Sequence, residues 1–258
     1  LSTQVNRSTH DSVDDTRQSF AVQYQRGRFL LSQGNYTEAE ALYRRLLEEK
    51  NKSGADDAET SLAMDRLAWA LRNQGKMEEC ETIFRRCVSI DLRTHGVNHA
   101  DTLAAIHNLA SVLRSRGKLA EAETLYRKAL AGLEATLGDE DPSTLSTMDS
   151  LGVLLWKREQ YDEAEQLLRK VLQLRQNKLG EGHPNTLSAL ATLSAVLQST
   201  GRLEEAERLK RKQLKICEEK LGPLNPSTLT SVNNLAVTLD KRGKFEEAER
   251  LLRRALQG

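Results

Sequence analysis

Between residues 102 and 137 apolar side chains fall at helical spacing. Leu103, Ile106, Leu109, Ala110 and Leu113 come first; beyond Gly117 follow Leu119, Ala122, Leu125, Tyr126, Ala129, Leu130 and Leu133. This spacing places them on one face of each of two amphipathic helices. Arg116-Gly117-Lys118 interrupts the pattern, because glycine favours the left-handed C-cap and costs about 1 kcal/mol inside a helix. The stretch predicts a helix hairpin, and it recurs. Gly34, Gly75, Gly117, Glu159, Gly201 and Gly243 hold the same place, at steps of 41, 42, 42, 42 and 42 residues. A fixed period of about 20–50 residues marks stacked units, each too small to bury its apolar face alone. The prediction is all-α: about six hairpins, near 19–50, 59–95, 101–137, 143–179, 185–221 and 227–258, behind a polar segment 1–18.

Small residues align in two columns: Ala39, Cys80, Ala122, Ala164, Ala206 and Ala248, and Ala68, Ala110, Gly152, Ser194 and Ala236. There the two helices of a hairpin can approach closely. Gly138, Gly180 and Gly222 can each end a helix, and Asp141-Pro142, His183-Pro184 and Asn225-Pro226 can begin the next. The fifth hairpin departs from pattern: Lys210 stands where other copies have Phe84, Tyr126, Leu168 or Leu252, and Gln213 where they have Ala129, Val171 or Ala255. A snorkelling lysine with a partly exposed glutamine is expected, a lateral contact site being the alternative. Leu251, Leu252 and Leu256 predict an apolar edge on the last helix, which another subunit or domain could cover.

In each unit a small residue in the first helix is followed by a glycine turn and an EAE motif, Glu121-Ala122-Glu123 in the third, then Tyr126, Ala129 and Leu130. These residues resemble tetratricopeptide repeats. The 42-residue period, the joints LGDEDPST, LGEGHPNT and LGPLNPST, and SVNNLAVTLDKRGKFEEAERLLRRAL are similar to the kinesin light chain type, also found in sensor ends of nucleotide-binding signalling ATPases. The resemblance implies a right-handed α-solenoid that binds protein segments in a concave groove built by the first helices. It places Asp65, Trp69, Arg72 and Asn73 in the groove, then His107, Ser111, Arg114 and Ser115, then Asp149, Val153, Trp156 and Lys157. Ala191, Ala195, Gln198 and Ser199 follow, then Asn233, Val237, Asp240 and Lys241. Asn108 and Asn234 match the family's NLA asparagine, which holds a peptide backbone; Arg66, Ser150 and Thr192 depart from it.

Both tryptophans fall in the groove set, and tryptophan dominates interface energetics through its large, stiff contact area. The blander expectation is that they cover a repeat interface. With Arg72, Arg114 and Lys157 nearby, the expected partner is a peptide segment or helix, acidic around an apolar anchor. The function expected is therefore a non-catalytic protein-binding scaffold. Two alternatives stand beside it: a structural subunit binding through its outer faces and ends, with self-association through the C-terminal end, and a ligand-sensing domain of a nucleotide-binding signalling protein.

Composition narrows the chemistry. Of 258 residues 29% are charged and only 4% aromatic, and 38 basic against 37 acidic side chains leave a net charge of +1. That balance predicts no nucleic-acid partner, and no run approaches the roughly 18 apolar residues of a membrane helix. Three cysteines, an odd number, favour a reducing, cytoplasmic setting over a disulfide framework, and Cys80 and Cys87 read as buried packing residues. Leu1 in place of an initiator Met leaves a processed start or the edge of a longer protein as expectations for the first 17 residues. No phosphate loop, GxSxG elbow or HExxH is present, so no catalytic residue or cofactor is expected. His95, His99 and His107 attract notice, yet no cysteine or carboxylate pair reads as completing a metal site with them. The EAE acids read as solvated helix charge pointing outward.

Overall fold

The hydrophobic periodicity becomes helix throughout the structure, a computed structural model that describes residues 20–52, 54 and 56–256. The predicted polar segment 1–18 and the last two residues lie outside the described part. The helices are α1 (20–32), α2 (Tyr36–Lys52), α3 (Ala58–Asn73), α4 (Met77–Thr94), α5 (Ala100–Ser115) and α6 (Leu119–Leu137). Then come α7 (Pro142–Lys157), α8 (Tyr161–Leu179), α9 (Pro184–Ser199), α10 (Leu203–Leu221), α11 (Pro226–Lys241) and α12 (Phe245–Leu256). No strand occurs among the described residues. The chain forms two compact units, one ending at Gly132 and the other starting at Leu133, within α6. In the first, α2 packs on α3, α3 on α4 and α4 on α5; in the second, each helix from α7 to α12 packs on the next.

Every first helix ends by one device, shown at α5. Lys118 N–H donates to Leu113 O (2.9 Å) and Gly117 N–H to Arg114 O (3.1 Å), the paired bonds of a Schellman motif. The residue between must be left-handed. Gly117 has φ 78°, and in the fourth hairpin Glu159 takes that conformation at φ 62° although it carries a Cβ. The joints behave as their sequence predicts: Asp141 and Asn225 side chains accept from the backbone N–H two residues on, at 2.7 and 2.9 Å. His99 and His183 cap in the same way through Nδ1.

Both small-residue columns are buried, with Ala39, Cys80, Ala122, Ala164 and Ala206 at 0% exposure. A Cβ on Gly152 would stand 2.8 Å from the Leu168 side chain, so a larger residue there would force that leucine to shift. The three cysteines are free and buried, and burial pushes the Cys80 thiol up to about 11 and the Cys87 thiol up to about 12.

The EAE motif corrects its reading. In three copies its second glutamate turns inward, Glu40, Glu81 and Glu207 being buried, whereas Glu249 of the last copy is exposed. Glu81 accepts from Arg85 at 2.8 Å, one turn along its own helix, and from Lys118 (2.9 Å) and Arg116 in the next hairpin turn. Glu207 repeats this with Arg211 (2.8 Å), Lys244 (3.0 Å) and Arg242. The same arginines reach the first glutamate of the following motif, Arg85 to Glu121 at 2.6 Å and Arg211 to Glu247 at 2.7 Å. Each inward glutamate thus ties one hairpin to the next. Burial alone would raise these carboxyl groups, but the hydrogen bonds from lysine and arginine outweigh it and hold Glu40, Glu81 and Glu207 at about 2.

Candidate functional site

On the first helices of the first unit, Trp69 keeps 39% of its surface exposed and sets an edge against Tyr36, ring centroids 5.7 Å apart. Asn73 donates to the Trp69 carbonyl at 2.8 Å, so its amide caps the helix. Arg72 is exposed. Asn108 donates to Asp65 Oδ1 at 3.0 Å, joining α5 to α3. Arg66, in the same column as Asn108, reaches the Tyr24 hydroxyl at 3.3 Å. His107 lies edge-on to Tyr126, and burial, with Arg114 and Arg72 adding to it, pushes its pKa down to about 4. It adds no positive charge near neutral pH. Ser111 is buried, although the resemblance places it in the groove, whereas Arg114 is half-buried with an Nε that has no hydrogen-bond partner.

In the second unit, half-buried Trp156 donates from Nε1 to Ser199 Oγ at 2.9 Å and so bridges α7 to α9. Lys157, Asn233, Asp240 and Lys241 are exposed, and Asn234 is half-buried. Asp149 Oδ2 accepts from Arg175 at 3.1 Å, while its Oδ1 is buried without a partner. Sequence reading passed over Arg175, a 6% exposed side chain that also donates to Asn185 O at 3.0 Å. Its signal was available: Arg175 shares a 42-residue column with Leu133 and Cys217, and with the oppositely charged Asp91.

Gln198 is engaged from within. Its Oε1 accepts from Lys210 Nζ (2.7 Å) and from the Thr238 hydroxyl (3.0 Å), and the lysine also donates to Thr238 Oγ1 (2.6 Å) and Asn234 O (3.1 Å). Lys210 and Gln213 are 7% and 8% exposed, which corrects both readings of them: neither reaches solvent and neither offers a lateral contact. Gln213 donates to Leu187 O at 3.2 Å. Lys210 sits among neutral oxygens with no carboxylate, and burial, with Lys241 adding to it, lowers its pKa to about 8.

The histidines also differ from expectation. His95 stacks on His99 with centroids 4.5 Å apart, and Asp101 lies with them, ligand atoms within 4.8 Å of one another. Asp91 Oδ1 is 3.9 Å from His95 Nδ1. The chain therefore does bring carboxylates to these histidines, through helix turns that linear spacing conceals. The rings stack at 21° between planes, and His99 Nδ1 is taken up as a helix cap.

No helix among the described residues is long and apolar enough to cross a membrane. Solved structures similar to this chain include kinesin light chain-type nearly identical TPR-like repeats from Podosopora anserina, 28% identical over 76% of this chain and 92% of that one, TM-score 0.70. BtubC (BKLC) from P. vanneervenii is similar at 18% identity over 86% and 90% of the two chains, TM-score 0.74. A signal transduction ATPase with a tetratricopeptide repeat sensor from Pyrococcus horikoshii is 14% identical over 92% of this chain and 36% of that one, TM-score 0.75. At these last two identities the likeness is one of fold. No curated protein matches in sequence. Tetratricopeptide repeat profiles match residues 70–135, 102–177, 143–212 and 189–258, and again 13–58 and 24–86; the chain belongs to the tetratricopeptide repeat family.

Proposed function

We propose that the chain is a non-catalytic scaffold that binds a protein segment along the face built by its first helices. The observation that carries this is the unfinished polar chemistry of the first helices in each unit: Arg114 Nε is buried without a partner in the unit that exposes Trp69, and Asp149 Oδ1 is buried without one in the unit that holds half-buried Trp156. Buried polar atoms are ordinarily satisfied, and an unpaired one costs about 1–3 kcal/mol that a ligand can recover. Arg72, Lys157 and Lys241 favour acidic residues in the partner, and each tryptophan favours an apolar or aromatic anchor there. Three free buried cysteines suit a reducing compartment such as the cytoplasm. The test compares partner recovery by wild type with Trp69→Ala, Trp156→Ala and Arg114→Glu. Loss of recovery with an unchanged circular dichroism melt supports the reading, and full recovery by all three ends it.

A second reading, assembly through the end of the array, is favoured by α12, where Phe245, Leu252 and Leu256 are 64%, 39% and 86% exposed. Substituting these three by serine would then abolish assembly while the groove variants leave it intact.

A further inference from the structure

The first unit contains a cavity of about 280 Å³ between α3 and α5, floored by α4. Asp65, Arg66, Asp91, His95, Asp101 and Asn108 supply its polar wall, and Leu62 and Ala104 part of its apolar one. Asp91 is 2% exposed, yet its Oδ1 has no hydrogen-bond partner. Its Oδ2 has only the Cys87 thiol at 3.7 Å, and His95 Nδ1 stands beyond hydrogen-bond reach of Oδ1. Asp65 is better placed, held by Asn108 and by Arg66 at 3.5 Å.

The repeat itself shows what such a place can hold. Two periods on, Asp65, Asp91 and Asp101 become Asp149, Arg175 and Asn185. There the buried Arg175 guanidinium lies between α7 and α9, donating to Asp149 Oδ2 and Asn185 O. In the earlier copy an aspartate replaces the arginine and Asp101 replaces the asparagine, so three carboxylates stand where the later copy has one, and the guanidinium that lines this cavity, Arg66, reaches Asp65 and leaves Asp91 Oδ1 without a partner. We infer that the cavity between α3, α4 and α5 receives the guanidinium of an arginine from the partner segment, with Asp91 Oδ1 as its principal acceptor.

A guanidinium presents donors in a planar fork and can serve two carboxylates at once, which a point charge does less well. The aliphatic stem of that arginine would lie along Leu62 and Ala104, a wall with no ligand atom for a metal ion. Burial and the neighbouring Asp91 charge raise the Asp65 carboxyl above its ordinary range, and an incoming cation would relieve both. This inference rests on the proposed binding face, but it can be tested without the partner.

The probe is Nα-acetylarginine amide, titrated into the full chain and followed by amide resonances, with the neutral isostere Nα-acetylcitrulline amide as control. Saturable shifts at Asp91, His95, Asp101 and Ala104 are expected with the arginine probe and not with the citrulline one. Asp91→Asn should weaken the probe at least tenfold. Asp91→Arg, which restores the residue found two periods later, should abolish binding and raise the melting temperature. If either variant fails to fold, Asp101→Asn, at an exposed position, should still weaken the probe. Equal response to both probes, no saturation, or an arginine response untouched by these substitutions would overturn the inference. So would saturation of the same resonances by zinc chloride with none by the arginine probe. Failure here leaves the Trp156→Ala test of the binding face standing, because that test does not involve this cavity.

Discussion

Trp156 Nε1 donates to Ser199 Oγ at 2.9 Å, so an indole of one first helix is oriented by a hydroxyl of the next. The bond serves both purposes weighed for this tryptophan: it closes the seam between α7 and α9 and fixes the ring in one orientation for contact. A fixed aromatic anchor loses little entropy on binding. Ser199→Ala should therefore leave folding nearly unchanged and weaken partner binding severalfold, whereas Trp156→Ala should cost about 2 kcal/mol, or roughly 30-fold in Kd. Isothermal titration against the purified partner reads both.

The inward glutamates predict acid sensitivity. Glu40, Glu81 and Glu207 have folded-state values of about 2 against an ordinary 4.5. Their contribution is fully present above pH 4.5 and is lost as pH falls towards 2, because the unfolded chain takes up the protons first. Glu207→Gln should lower stability at pH 7 by about 1–3 kcal/mol and remove part of the acid slope. Urea melts of both chains from pH 7 down to pH 2.5 measure the difference, and parallel slopes would refute the linkage.

Lys210 predicts the opposite limb. Its folded value is about 8 against 10.5 unfolded, so the cost of burying its charge is fully present below pH 8. That cost is relieved as pH rises to 10.5, where the unfolded chain still holds the proton. Lys210→Met should flatten that rise, which is on the order of 2 kcal/mol. Its Gln198 and Thr238 partners still bond each other, so the variant should fold. A melt series from pH 7 to pH 10.5 on both chains decides it.

Glu159 is the one described residue outside glycine with a positive φ. Its backbone follows from its column: the Schellman turn demands left-handed geometry whatever the side chain. Relief of Cβ strain exceeds the added freedom of the unfolded chain, so Glu159→Gly should stabilise by about 0.5–1 kcal/mol. A higher midpoint in thermal denaturation is the expected result.

Period and glycine turns made the hairpins legible, since each first helix ends where its glycine column stands and each later joint caps where proline follows. Side-chain fate was less legible, because it depends on neighbours in other helices, from 12 residues away for Lys210 to 37 for Glu81. Nothing local distinguishes Glu79, which meets only Arg44, from Glu81, which meets Arg85, Arg116 and Lys118. Lys210 looked like a surface lysine because its oxygen partners come from two other helices. Asp91 and Arg175 share a column in which only Leu133 was read, as an apolar position, yet the exchange of one charge for the other there marks the cavity.

The central claim, that the first-helix face holds the partner, is tested most directly by site-specific photocrosslinking. A benzophenone amino acid is placed in turn at Arg72 and Lys157 on that face, and at Arg208 and Lys215 on the exposed side of α10. The account predicts partner adducts from Arg72 and Lys157 and none from Arg208 or Lys215. Adducts from Arg208 or Lys215, with none from Arg72 and Lys157, would contradict it.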